Sequence, residues 1–313
     1  MNIIDVNSDL INFDMSKFQN SYIHLMDGGL GNQLLQVLSI SSLIQKNENS
    51  IILDFLDKSE YYLKYNLQGI PAISQVNLPS NFYILYNSNQ SEIIDNAALR
   101  YKLYGRERIL IHIDKINIDS NINLNQYIGM GWKSENEIEI NQFRENILKS
   151  NIQKFVQSRD SSIGIHLRAG DYSKHPELGK LNTKYYLKAL SKIKEAPSKV
   201  FIYSDSLEAA DKLQKSLESK NKKLRIQISS ENDPSRIIFS IANHEILILA
   251  NSTLSWWAGR LSNSKMIFYP HPWYISKSII LPLPNYWIKL KRTMFNYLLN
   301  YTLSSIKYRR IRN

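Results

Sequence analysis

The chain has 313 residues, 43% hydrophobic and 21% charged, which fits a globular protein of two domains rather than one small core. It contains no cysteine, excluding disulfides, thiolate metal sites and a cysteine nucleophile and suiting a reducing cytoplasm. Its 39 Lys and Arg against 28 Asp and Glu give a net charge of +11, and no stretch approaches the ~20 apolar residues that cross a bilayer.

In chain order, residues 1–21 carry Asp5, Asp9 and Asp14 without a basic start or an apolar run. They read as an N-terminal extension, not a secretory leader, so a cytoplasmic protein is expected. Residues 22–26 predict a strand and Gly28-Gly29-Leu30-Gly31 a tight turn. Residues 32–45 predict a helix with Leu34, Val37, Leu38 and Ile44 inward, and residues 51–53 a strand ending at Asp54. From 56 onward the Tyr- and Asn-rich sequence predicts no definite element. The polar stretch 157–162 is the natural boundary, giving lobes 22–158 and 159–288.

The second lobe alternates strands and helices. Strands are predicted at 163–167, 200–203, 224–228, 246–250 and 265–269, with helices at 183–195, 206–220, 233–243 and from 252 through two tryptophans. Asp233-Pro234 reads as a helix cap followed by proline at the first helical position. The expected fold is therefore α/β, with two Rossmann-like lobes facing a cleft and parallel sheets wrapped by helices. Ligands of such sheets sit beyond the carboxyl ends of the strands. There the loops after Leu167, at Asp205 and at Asn251 should converge.

From 289 to the end the chain carries Lys289, Lys291, Arg292, Lys307, Arg309, Arg310 and Arg312 and no acidic residue, interleaved with Met294, Phe295, Leu298, Tyr301, Leu303 and Ile306. This basic tail, 289–313, suits a packed terminal helix with a solvated cationic face, or peripheral contact with an anionic membrane. No other basic stripe or binding motif points to nucleic acid.

The glycine turn invites a dinucleotide reading, with Asp54 about twenty residues on, but Leu34 stands where the third glycine belongs. What the turn supplies is close backbone approach and free amides at a helix N-terminus, suited to an anion. Arg168 falls on the predicted ligand edge, and a guanidinium grips phosphate with two bonds. Ser252, Thr253 and Ser255 open a helix, where hydroxyls and amides favour phosphate and also cap the helix. No Asp-x-Asp stands at a strand end. Ser204-Asp205-Ser206 offers one carboxylate, so neither metal nor cofactor is expected.

Six segments, GGLGNQLLQ (28–36), YIGMGWKS (127–134), HLRAGDY (166–172), YSDS (203–206), ANSTLSWWA (250–258) and YPHPWY (269–274), resemble in order the motifs of the bacterial alpha-1,2-fucosyltransferases, glycosyltransferase family 11. The resemblance spans residues 22 to about 290. It implies a GT-B-like glycosyltransferase that binds GDP-fucose in the C-terminal lobe and an acceptor sugar in the N-terminal lobe. It also implies Arg168 as the phosphate ligand, Asn32 approaching the β-phosphate from the opposite lobe with Gly29 and Gly31 in its turn, and His166 and Asp205 at the guanosine. Asp27, Asp171 and Glu177 are candidates for a general base, and Asp171 alternatively holds Arg168. Trp256 and Trp257 read as helix core.

Two departures stand out: Ala169 replaces the family's second arginine, leaving a cation fewer or passing the role to Lys174 or Arg236, and YSDS lacks a second aspartate. The expected activity is an inverting alpha-1,2-fucosyltransferase using GDP-L-fucose and a galactose-type acceptor, lipid-linked or free, in O-antigen or surface polysaccharide assembly. The alternatives are transfer of another GDP-deoxysugar such as colitose, or sugar-nucleotide binding without turnover.

Overall fold

Two parallel sheets organise the chain, as a computed structural model describes it for residues 2–5, 21–26, 28–44, 51–55, 71–76, 78, 80–86, 109–112, 126–129, 137–148, 160–170, 172, 178–195, 197–274 and 281–292. Asp27, Asp171, Lys174, Glu177, residues 130–134 and the tail from 293 lie outside the described residues. The chain divides into two compact units, Met1–Gln153 with Asn232–Ser235, and Lys154–Glu231 with Arg236–Asn313.

The first unit contains strands β1 (Asn2–Asp5), β2 (Tyr22–Leu25), β3 (Ile51–Asp54), β4 (Phe82–Tyr86), β5 (Ile109–His112) and β6 (Gln126–Gly129). They pair in parallel in the order β1-β4-β3-β2-β6-β5. The run IILD of β3 is buried at every position, the pattern of a strand covered on both faces. Helix α1 (Leu30–Ile44) buries Leu30, Leu34, Leu35, Val37, Leu38 and Ile40. Helix α2 (Glu137–Leu148), which the sequence reading did not anticipate, buries Ile140, Phe143 and Ile147 at helical spacing. The first residues, read as an extension, contribute the edge strand β1, with Asn2 opposite Tyr83 and Asp5 opposite Tyr86.

The second unit contains β7 (Asp160–Leu167), α3 (Thr183–Leu190), β8 (Lys199–Ser204), α4 (Leu207–Lys220), β9 (Arg225–Ile228), β10 (His244–Ile248), α6 (Thr253–Leu261), β11 (Met266–His271) and β12 (Ile288–Lys291). Helix α5 (Pro234–Ala242) precedes β10. Its entry has the expected cap, for Ser235 N–H donates to Asp233 Oδ1 at 2.8 Å.

The strand order β12-β11-β10-β7-β8-β9 is all parallel. Counted from β7, it is the 3-2-1-4-5-6 order of doubly wound nucleotide-binding folds, read from the far edge. The core lies where the central strands meet: Ile163, Ile165, Ile202 and Ile248 are each 0% exposed. Each such side chain contributes roughly 1.5–3 kcal/mol relative to exposure. Successive connections leave in opposite directions between β7 and β10, so a crevice opens at their carboxyl ends.

Lower in the sheet, His244 accepts or donates at both ring nitrogens, to Ser162 Oγ at 2.6 Å and Tyr203 Oη at 2.8 Å. Burial pushes the Tyr203 phenol well above its ordinary range. This polar chain is fully satisfied inside the core, as a buried histidine requires.

Candidate donor site

The residues at the β7–β10 crevice are tied to one another. His166, on the last turn of β7, is 6% exposed and its Nδ1 bonds the hydroxyl of Ser255 on α6. Ser255 Oγ also accepts from Ala250 N–H at 3.2 Å, and Ser255 N–H donates to Ser252 Oγ at 3.1 Å, capping α6. Burial first, then the Arg168 charge, push the His166 pKa down to about 4 against the opposing pull of Asp205. The imidazole is therefore neutral at pH 7. Among the described residues no protein partner meets its Nε2.

Arg168 follows β7 directly. Its Nη1 lies 3.0 Å from Asp205 Oδ2, with both side chains about one-fifth exposed, and its guanidinium stands 5.6 Å from the centre of the Tyr172 ring. Asp205 directly follows β8 and does more than pair with the arginine: Ala169 N–H donates to its Oδ1 at 2.8 Å and Gly170 N–H to its Oδ2 at 3.0 Å. A side chain at 170 would place its Cβ 2.7 Å from Asp205 Oδ2, so the turn closes on the carboxylate only with glycine there.

Asp205, expected at the guanosine, is thus occupied as a clamp on the 168–170 turn. It is also the described carboxylate partner of Arg168, a role the sequence reading offered to Asp171. Tyr172 Oη donates to Asn251 O at 2.6 Å, and Asn251 Nδ2 donates to Gly179 O at 3.0 Å. The three loops expected to converge are in this way joined by side chains from each.

Thr253, the first residue of α6, and Ser252 are buried at the same helix N-terminus. Trp256 and Trp257 are 0% exposed and cross edge-on at 4.9 Å. Trp256 Nε1–H and Arg260 Nη2–H both donate to Pro282 O, at 2.9 and 2.8 Å. They build the floor behind the helix end. Tyr274, from YPHPWY, is buried with its pKa pushed up to about 12 by burial. Sequence reasoning gave no role to Tyr172 or Tyr274; for Tyr172 the available signal was an aromatic ring four residues after Arg168.

Ala169 is 4% exposed and belongs to the apolar core with Leu167, Leu181 and Tyr186. The missing second arginine therefore corresponds to an inward position, not to an empty place on the crevice surface. Arg236 lies 3.8 Å from Glu231.

Gly29, Gly31 and Asn32 belong to the first unit. Gly28 has φ +74°, a left-handed conformation that starts the turn, and Asn32 N–H and Gln33 N–H both donate to Gly29 O. Gln33 Nε2–H closes the turn on Gly28 O at 2.9 Å. Nothing stands within 4 Å of a Cβ built on Gly29, so a ligand can approach that backbone. Behind it, His24 and Gln36 pair at 3.2 Å inside the unit, and burial pushes His24 down to about 4. Among the described residues no group of three His, Asp or Glu forms a metal site.

A neutral imidazole, a guanidinium and a capped helix N-terminus on one sheet edge suit an anion bearing a heterocycle. Residues 124–276 match the model of Glycosyl transferase family 11. Five of the six motifs fall inside this family 11 stretch, and the chain is a glycosyltransferase at that level of description. It is 23% identical over 294 residues to the Alpha-1,2-colitosyltransferase of Escherichia coli, a match covering 85% of this chain and 97% of that protein. Among solved structures it is similar to the fucosyltransferase NodZ from Bradyrhizobium (15% identity, 78% of this chain and 94% of that one, TM-score 0.48). It is also similar to POFUT1 in complex with GDP (11% identity, 80% and 97%, TM-score 0.45).

Proposed function

We propose that this family 11 glycosyltransferase moves a GDP-linked 6-deoxysugar, L-fucose in the first instance, onto a galactose-type acceptor with inversion and without a metal ion. The observation that carries the reading is the joined set at the β7–β10 crevice: His166 on Ser255, Arg168 on Asp205, and the Ser252-capped start of α6. As the sugar–phosphate bond breaks, negative charge grows on the departing diphosphate. In this reading Arg168 and the amides of α6 receive it, with Ser252, Thr253 and Ser255 as hydroxyl donors and neutral His166 offering Nε2 to the base. Asn32, Gly29 and Gly31, in the glycine turn of the first unit, are further candidate donor ligands. Asp171 remains a candidate for the proton of the acceptor hydroxyl.

The relative from Escherichia coli gives colitose as a specific second donor. A lipid-linked acceptor of surface polysaccharide assembly would bring the enzyme to the anionic inner face of the membrane. No helix among the described residues is long and apolar enough to cross one, so the contact would be peripheral.

The test is GDP release by the purified protein from GDP-fucose and GDP-colitose, each with a panel of galactosides, in the presence of a chelator. Release that needs an added divalent ion removes the metal-free mechanism. Donor binding without any turnover leaves a sugar-nucleotide-binding protein.

A further inference from the structure

A second basic centre lies in the same unit, on residues that none of the donor chemistry uses. A pocket of about 110 Å³ is lined by Lys180, Lys184, Lys188, Lys291 and Arg292, with no carboxylate in its lining. Lys184 and Lys188 stand one turn apart on the exposed side of α3, Lys180 precedes that helix, and Lys291 closes β12; all four are exposed.

Arg292 is the fixed member. Its Nη1–H donates to Gly179 O at 3.0 Å and its Nη2–H to Trp273 O. Hydrogen bonds to carbonyls orient a guanidinium without cancelling its charge. Lys180 acts on Glu208, but that carboxylate is already paired with Lys212 at 2.5 Å. Among the described residues, Lys184, Lys188 and Lys291 meet no acidic partner. The positive field is felt nearby: burial, then Lys289, Arg292 and Lys291, hold the His271 imidazole below its usual range.

Lys184, Lys188 and Lys291, with no acidic partner among the described residues, converge with Lys180 and Arg292 on one pocket and suit a ligand of more than one negative charge; like charges one helical turn apart are unfavourable until that ligand arrives. The sequence indicates its source. Directly after Arg292 it runs through Met294, Phe295, Leu298, Tyr301, Leu303 and Ile306 to Lys307, Arg309, Arg310 and Arg312, a composition suited to a lipid–water interface. We propose that this pocket seats the phosphate-bearing headgroups of an anionic membrane. The inference deepens the surface contact proposed above, and it does not depend on which sugar is transferred.

The test is co-sedimentation of the full chain with phosphatidylcholine vesicles, with and without phosphatidylglycerol. The parent should bind only the anionic vesicles. Lys184→Glu with Lys188→Glu should lower that affinity roughly ten-fold or more, since each lysine near such a surface contributes about five-fold. Lys222→Glu with Lys223→Glu, the same charge change in the turn before β9, should leave it nearly unaltered. GDP release with a soluble acceptor should be the same in both variants.

Equal losses in the two variants would reduce the effect to overall charge and overturn the pocket. So would a pocket variant that binds like the parent while truncation after Arg292 abolishes binding; that result would keep the surface reading and discard this site. Binding of inorganic pyrophosphate that is lost in the pocket variant, with vesicle binding intact, would assign the pocket to a soluble phosphate instead.

Discussion

Arg168 is held from two sides, by the Asp205 carboxylate at 3.0 Å and by the face of Tyr172. A lysine keeps the charge but not the planar fork. Arg168→Lys should therefore lower turnover by roughly 10²–10³-fold, the scale of one lost transition-state donor, with an unchanged melting curve; near-normal turnover would remove Arg168 from the proposal. Ala169 makes the opposite case. It faces the core, so Ala169→Arg should destabilise the protein by roughly 3 kcal/mol or more through overpacking and an unpaired buried charge, without tightening donor binding in a titration.

His24 and His166 carry a pH signature. Each has a folded pKa of about 4, below the ordinary 6.5, so the unfolded chain takes up the proton first. Stability from these groups is full above about pH 6.5 and falls as pH drops towards 4. Denaturant midpoints should decline across that window, and less steeply in His24→Gln; a flat profile in the parent would contradict the buried neutral state.

Helix α6 shows how one element serves both packing and chemistry. Eight of its nine residues are buried, and its first turn is capped by Ser252. Ser252→Ala should cost ~1 kcal/mol in denaturant unfolding, the usual value of a lost cap. It should also raise the KM for the donor, because the same hydroxyl is proposed at the diphosphate. A stability loss with no change in KM would make the cap purely structural.

The elements legible in the sequence were those whose apolar runs are bounded by turn signals. Thus β7, β8, β10 and α6 appeared close to their true bounds, and the joining of their three loops followed from parallel topology. The site's wiring was not legible. That Asp205 grips the 168–170 turn, or that Ala169 points inward, depends on contacts between residues about 35 apart in sequence. Strands β5 and β6 sit in a stretch of mixed Ile and Asn whose pairing is set by distant partners. Strand β12 was missed for a physical reason: in IKLK, exposed Lys289 and Lys291 alternate with the half-buried Ile288 and the buried Leu290, a period-two pattern that charge counting alone assigns to a tail.

At the scale of the molecule, two units with separate sheets predict unfolding that is not two-state. GDP, whose main contacts are proposed on the second unit, should raise the transition belonging to that unit most, by about 2.7 kcal/mol of stability at a hundred-fold excess over Kd. Scanning calorimetry with and without GDP reads this directly, and an equal shift of both transitions would argue for a ligand shared from the outset.

The last described strand also sets a limit on cutting the chain. β12 lies against β11, with Phe268 opposite Ile288 and His271 opposite Lys291. A product that stops short of residue 292 would expose the unsatisfied amides and carbonyls of a buried apolar strand, an invitation to self-association. Proteolysis, a premature stop codon or an incautious truncation in that region would therefore be expected to show itself first as insoluble protein, before any change in catalysis could be measured.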